Sequence, residues 1–259
     1  MNLKKGEKIV SVILILVLSL AAVTFSGCLE EDDETIVVGT SADFPPFEYI
    51  DEDTGDIIGF DIDLTKEILE DQGYEVEVKD MDFGTLIPSL EGGEIDVIAA
   101  AMTITEEREE KVDFSDPYYE ADQSILLREG SDIEVNNIED LEGYKVGAQT
   151  GTTGADVVQE ELIDTGLIDE EDFSEYDRYT FAVSDLIDER IDAVVIDRPV
   201  GLSFEANRDV EIVYTYETGE EYAFAVQQDN DELREDINQG LGNIRDTDEW
   251  DDLVEEYLY

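Results

Sequence analysis

Short β-branched and aliphatic runs alternate with helical repeats along this chain, and the alternation occurs twice. Residues 36–39 read as a strand, 60–72 as a helix with Ile62, Leu64, Ile68 and Leu69 on one face, 75–79 as a strand, 85–91 as a helix and 95–99 as a strand. The pattern returns with strands at 145–148, near 173–176, at 193–196 and at 211–214, separated by helices at 153–162, 182–190 and 199–206. A strand that reaches its neighbour through a helix pairs in parallel, and the crossing helices must cover the sheet faces. The expected class is therefore α/β, in two similar halves, each a largely parallel sheet flanked by helices. A strand at 222–226 and two helices within 231–259, divided near 245–248, remain after the second half. They are expected to rejoin the first, making lobes of 35–120 plus 218–259 and of 121–217, with hinges at 118–123 and 214–221. Ligands of open α/β sheets sit beyond the carboxyl ends of the strands, so the cleft between two such lobes is the expected site.

The first 27 residues read as an export leader. Lys4, Lys5 and Lys8 make a basic start, 9–23 an apolar stretch, and Phe25, Ser26, Gly27 and Cys28 its close, followed by an acidic tether over 28–34. Cys28, the chain's single cysteine, follows a Ser-Gly pair in a manner that resembles a lipobox, with Phe25 where Leu is usual. That resemblance implies lipidation and attachment to membrane lipid at the extracellular face. A retained membrane anchor or a cysteine without special role are the alternatives. One cysteine excludes an intramolecular disulfide.

Cleavage before Cys28 removes one of 71 acidic residues and three of 15 basic ones, leaving 70 against 12 and a net charge of −58. With 42% hydrophobic residues and clear periodicity, this excess reads as adaptation of a folded protein to molar salt rather than as disorder. No basic stripe exists to meet nucleic acid. The complete absence of histidine removes histidine-based triads, general bases and zinc clusters, and no cofactor or metal is expected. The acidic run Asp51, Glu52, Asp53, Thr54, Gly55, Asp56 lacks a carboxylate at the twelfth position of a calcium loop, which is Ile62, and reads as a polar hairpin turn.

Functional side chains gather where strands end. Thr103, Thr105 and Arg108 follow the 95–99 strand and suit capture of a carboxylate by hydroxyls, amides and a guanidinium. Arg108 pairing with one of its glutamate neighbours is the structural alternative. Phe44 and Phe83 follow two other strands, Gln149, Gly151, Thr152 and Thr153 open a helix after the 145–148 strand, and Asp197 ends the 193–196 strand. Taken singly, Phe44 and Phe83 could be core, and Thr152 and Asp197 helix caps.

Taken together, five segments occur in an order and spacing that resemble the polar amino-acid binding proteins of ABC importers, extracellular solute-binding protein family 3, including its glutamine and lysine/arginine/ornithine receptors. They are Gly59-Phe60-Asp61-Ile62-Asp63-Leu64, Asp82-Phe83 with Leu86-Ile87-Pro88-Ser89-Leu90, Thr103-Ile104-Thr105-Glu106-Glu107-Arg108, Phe114-Ser115-Asp116-Pro117-Tyr118-Tyr119 and Gly151-Thr152-Thr153. The resemblance spans nearly all of 35–259. It implies a two-lobed clamshell, like the type II periplasmic binding proteins, acting as a monomeric, non-enzymatic receptor that hands a free amino acid to a membrane permease. It further implies that Arg108, Thr103, Thr152 and Thr153 hold the ligand carboxylate, that Asp197 holds its ammonium and that Phe44 and Phe83 sandwich its aliphatic part. Ser41, Asp61, Ala100, Ala101, Met102, Gln149 and Ile196 then frame the side-chain pocket. An aspartate common in those receptors is replaced by Ser41, and Gln149 matches neither relative, which favours a neutral polar or acidic ligand. A dehydratase-like lyase on the same clamshell, with Asp61 as its acid, and a receptor for ectoine- or betaine-type solutes are the alternative functions.

Overall fold

The computed structural model describes residues 34–259; the leader at 1–27, Cys28 and the tether to Asp33 lie outside the described residues. Among the described residues thirteen strands run in chain order: β1 Thr35–Thr40, β2 Asp43–Phe44, β3 Glu48–Ile50, β4 Ile57–Ile58, β5 Glu75–Asp80, β6 Val97–Ile98, β7 Val112–Phe114, β8 Tyr119–Arg128, β9 Val146–Gln149, β10 Phe173–Tyr176, β11 Ala193–Asp197, β12 Val210–Tyr222 and β13 Ala225–Gln227. They form two five-stranded sheets, ordered β5-β1-β6-β13-β7 and β10-β9-β11-β8-β12, and a small meander, β2-β3-β4. In the first sheet β5, β1 and β6 are parallel, and β13 runs antiparallel between β6 and β7. In the second, β10, β9 and β11 are parallel, and β8 and β12 run antiparallel beside them. The molecule is two-lobed, and each lobe carries one of these sheets.

Burial on both faces of the parallel strands explains their nearly continuous apolar sequence. Val97 and Ala99 join Val38, Leu64 and Ile68 on one side of the first sheet, whereas Ile98, Ala100 and Met102 join Leu86, Leu90 and Ile95 on the other. The helix Phe60–Asp71 lies against the first of these faces, and the helix Asp231–Ile244 packs on it in turn. Gly240 allows that approach, because a Cβ there would stand 2.6 Å from the Ile68 Cβ.

Several boundaries move from their sequence positions. The 95–99 ladder is regular only at Val97–Ile98, although Asp96 and Ala99 still donate to the Val37 and Gly39 carbonyls at 2.7 and 3.0 Å. The helix expected over 153–162 is α-helical at Thr153–Val158 and continues as a π turn, Gln159–Ile163. The helix expected over 182–190 begins at Tyr179 and stops at Ile187, before Glu189 takes a φ of 59°. The expected 222–226 strand is divided: Tyr222 ends β12 and β13 begins at Ala225. The acidic run at 51–56 is the β3–β4 turn, with Asp51 Oδ1 accepting from the Asp53 and Thr54 amides at 3.1 and 2.7 Å.

The candidate hinges lie side by side. β8 and β12 pair from Arg128 opposite Val210 to Tyr119 opposite Tyr222, with register shifts between Ile212 and Tyr214 and between Tyr216 and Glu220. At one end this ribbon belongs to the second sheet. At the other, the Tyr118 amide bonds the Tyr222 carbonyl at 2.9 Å, and Thr103 forms an isolated bridge with Tyr222.

Candidate functional site

Between the two sheets lies a small, nearly closed cavity. Ser41, Phe44, Glu48, Phe83, Ala101, Thr103 and Arg108 line it from the first lobe. Gln149, Thr152, Thr153 and Asp197 line it from the second. Ser41 and Phe44 follow the end of β1, Phe83 starts the short 3-10 turn Phe83–Thr85, and the meander sets Glu48 directly across from Phe44.

Arg108 comes from the four-residue helix Glu106–Glu109, which Thr105 caps by accepting the Arg108 amide at 3.2 Å. Its side chain turns inward and the residue is only 7% exposed. One guanidinium nitrogen donates to the Thr103 carbonyl at 2.6 Å and another to the Gly151 carbonyl of the opposite lobe at 3.1 Å, while its carbon stands 5.4 Å from the Phe83 ring centre. Among the described residues no carboxylate lies within 4.0 Å of it, so the pairing with glutamate neighbours does not form. Burial lowers its pKa. At Gly151 the backbones of the two lobes come close: its φ is +78°, and a Cβ there would lie 3.3 Å from the Gly84 Cα.

Glu48 is fully buried, and among the described residues neither carboxylate oxygen has a hydrogen-bond partner. Burial raises its pKa well above the usual range, and the carboxylates of Asp61, Asp43 and Asp197 add to the effect. The cavity wall therefore holds a guanidinium without a counter-ion and a carboxyl without a donor. An unpaired buried charge or polar group is costly, so each calls for a complementary group in the cavity.

Asp197, 4% exposed, accepts from Gln123 Nε2 at 2.6 Å and from the Tyr222 hydroxyl. Burial and nearby Glu220 push its pKa up to about 7, partly opposed by those two bonds. Glu220 itself accepts from the hydroxyls of Thr103, at 2.6 Å, and Thr153, at 2.7 Å, and from Gln123 Nε2 at 3.1 Å. Thr152 caps its helix: its hydroxyl donates to the Gln149 carbonyl at 2.8 Å and accepts the Ala155 amide at 3.3 Å. Gln149 Nε2 reaches Ser41 Oγ at 3.4 Å and the Asp177 carbonyl at 2.9 Å.

Not every expected residue lines the cavity. The side chains of Ala100 and Met102 belong to the core on the far face of the first sheet, and Ile196 to the main core. Asp61 is one layer behind the wall, where Oδ2 accepts the Ala101 amide at 2.7 Å and the Tyr118 hydroxyl. That first bond supports Ala101 at a φ of 44°, a conformation unusual for alanine. Burial raises the Asp61 pKa to about 7 against the opposing effect of both bonds. Glu48, Gln123, Glu220 and Tyr222 are the site residues that sequence reasoning missed. The available signals were an acid inside the aromatic run at 44–49 and the polar end of the 214–221 hinge.

A second set of contacts joins the lobes outside the cavity. Arg178, at the start of the helix Tyr179–Ile187, donates to Asp80 at 2.6 Å and Asp82 at 3.1 Å, with Asp43 at 3.8 Å. The Thr180 amide donates to Asp43 at 3.3 Å. Burial lifts the Asp43 pKa to about 6, opposed by these partners. Arg178 and Asp43 also line a larger open groove with Pro45, Tyr49, Phe204 and Tyr257.

Comparison with known proteins agrees with this geometry. Residues 36–259 match the family model of bacterial extracellular solute-binding proteins, family 3. The arginine-binding extracellular protein ArtP of Bacillus subtilis is 36% identical over 236 residues, 88% of each chain. The glutamine-binding protein GlnH of an ABC transporter in the same organism is 32% identical over 88% of this chain and 82% of its own. Among solved structures, an ancestral arginine-binding protein bound to arginine is 42% identical with a TM-score of 0.80, covering 87% of this chain and 98% of that one.

Proposed function

Since the chain belongs to the bacterial extracellular solute-binding proteins of family 3, we propose that it is a lipid-anchored receptor at the extracellular face of the cell membrane. It captures an amino acid between its lobes and delivers it to the permease of an ABC importer. The observation that carries this reading is the pair of uncompensated groups of opposite character, Arg108 and Glu48, facing one small cavity with Asp197 beside them. A zwitterion with a further hydrogen-bond donor satisfies all three. Arg108 takes the α-carboxylate as a fork, Asp197 takes the α-ammonium, and Phe44 and Phe83 flank the aliphatic part.

Glu48 changes the expected side-chain preference. A neutral or acidic ligand follows from Ser41 and Gln149 alone; a fully buried carboxyl with both oxygens free instead favours a cationic end, as in arginine. An acidic side chain would meet repulsion there. The names of ArtP, an arginine-binding protein, and GlnH, a glutamine-binding one, support the amino-acid class. The lyase alternative is disfavoured because the acid it would use, Asp61, sits behind the wall and holds the Ala101 amide.

Thermal melting of the protein in molar potassium chloride against the twenty amino acids, ectoine and glycine betaine tests this. A ligand at 100 times its Kd stabilises by about 2.7 kcal/mol, a shift of a few degrees. L-arginine is expected to give the largest shift, and Glu48→Gln to remove it while sparing the response to L-glutamine. A shift only with ectoine or betaine, or with nothing, rejects the amino-acid reading.

A further inference from the structure

Thr103 and Thr153 both line the cavity, and the hydroxyls of both donate their single protons to one oxygen of Glu220, at 2.6 and 2.7 Å. A threonine hydroxyl has one proton and two lone pairs, so a hydroxyl held this way offers its ligand only lone pairs. It can accept from an ammonium but cannot donate to a carboxylate. The arrangement spans the lobes, because Thr103 follows the first sheet and Thr153 opens a helix of the second, while Glu220 rides on the β12 ribbon between them. It also adjoins Asp197: Gln123 Nε2 lies 2.6 Å from Asp197 Oδ1, 3.1 Å from Glu220 Oε1 and 3.2 Å from Thr153 Oγ1. Three potential ammonium acceptors are thereby collected at one end of the cavity, with the donors of Arg108 left for the carboxylate.

We infer that Glu220 is a positioning residue that fixes the polarity of the site, locking the Thr103 and Thr153 hydroxyls as acceptors so that the receptor requires a free α-ammonium on its ligand. The inference rests on the amino-acid receptor reading and deepens it. It moves the Thr103 hydroxyl from the carboxylate end, where the sequence resemblance put it, to the ammonium end, and gives the Thr153 hydroxyl a role there while leaving the Thr153 amide to the carboxylate. Glu220 acts through the threonines and touches no ligand in this scheme, so its removal should alter which ligands are told apart more than how tightly every ligand binds. When it is gone, each hydroxyl turns freely and can donate to a carboxylate, or to any acceptor that replaces the ammonium.

Titration calorimetry of the protein in molar potassium chloride tests this with two probe pairs. They are L-arginine against its deamino analogue 5-guanidinopentanoate, and L-glutamine against 4-carbamoylbutanoate. The parent is expected to prefer the amino acid strongly in at least one pair. Glu220→Met, which keeps the bulk and removes the acceptor, should narrow that preference by about 10- to 100-fold, with the deamino analogue binding as well as before or better. Glu220→Gln should retain most of the preference, since its amide oxygen can still accept from both hydroxyls. Equal weakening of both members of a pair by Glu220→Met would reduce Glu220 to a structural role. A Gln variant as impaired as the Met variant would mean that its charge acts, not its acceptor. Should Glu220→Met fail to fold, Thr103→Val removes an acceptor directly, and an unchanged preference there overturns the inference. If the parent binds neither L-arginine nor L-glutamine, the receptor reading for these ligands fails together with the inference. If it binds one and the variants keep its preference, the inference alone fails.

Discussion

Arg108 is held in place by two carbonyls and an aromatic ring, none of which neutralises it. Its charge has to be met by whatever enters the cavity, so Arg108→Ala is expected to cost about 2 to 5 kcal/mol of ligand affinity, measured by titration calorimetry. Arg108→Lys should recover little of this, because one ammonium cannot reproduce a fork that spans Thr103, Gly151 and a ligand oxygen. Arg108 was legible in the sequence because bases are scarce and this one follows an apolar strand. Glu48 was not: its burial depends on a hairpin that folds it beneath Phe44, and nothing in residues 44–50 states which face of so short a strand turns inward. The same parity separates Ala101, which lines the cavity, from Ala100 and Met102, which do not. Alternation along a strand is plain from sequence, but the choice between two covered faces is made by tertiary packing.

At the scale of elements, the helix Asp231–Ile244 carries its own control experiment. A Cβ at Gly240 would press within 2.6 Å of Ile68, whereas one at Gly242 would meet nothing within 4 Å. Gly240→Ala should destabilise by about 1 to 3 kcal/mol through overpacking. Gly242→Ala should stabilise by about 0.5 to 1 kcal/mol through helix propensity alone. Paired denaturant melts, in which the two midpoints move in opposite directions, check both. Helices of this kind were readable, with their division near 245–248 realised between Ile244 and Asp248. Strand lengths were less so. β12 runs thirteen residues through a polar segment, Glu217 to Glu221, in which Glu220 and Glu221 pair with β8 while the Thr218 and Gly219 amides bond Asp122 Oδ1 at 3.0 Å. The helix at Tyr179 starts earlier than periodicity suggests, directly after Arg178, whose side chain pairs with the aspartates of the other lobe.

For the whole molecule, the buried acids set an unusual response to pH. Asp61 and Asp197 bind protons up to about pH 7 when folded, against a usual value of 3.8, so the native chain keeps protons that the unfolded chain releases between about pH 4 and 7. Stability of the unliganded protein is therefore greatest at the acid end of that window and falls as pH rises through 7, by up to about 1.4 kcal/mol per pH unit for each proton. The melting point in fixed molar salt should be higher at pH 5 than at pH 8, and Asp197→Asn should flatten the slope. Ligand reverses the sense, since an ammonium favours ionised Asp197, and its stabilising shift should grow from pH 5 to 8. With 71 acids against 15 bases, removal of salt is expected to unfold the chain, because the Debye length grows from roughly 3 Å at 1 M to about 30 Å at 0.01 M. Circular dichroism that is unchanged at low millimolar salt would reject that expectation. The two-lobed plan was the most legible feature of all, since strands and helices alternate twice along the chain. Its construction has one more result. The chain departs for the second lobe beside the point at which it returns, Tyr118 and Tyr119 against Tyr222. The lobe is thus a cassette hung from a single doorway: it could be excised and the threshold resealed by a short turn, or exchanged for a relative's, without rethreading one strand of the sheet that hosts it.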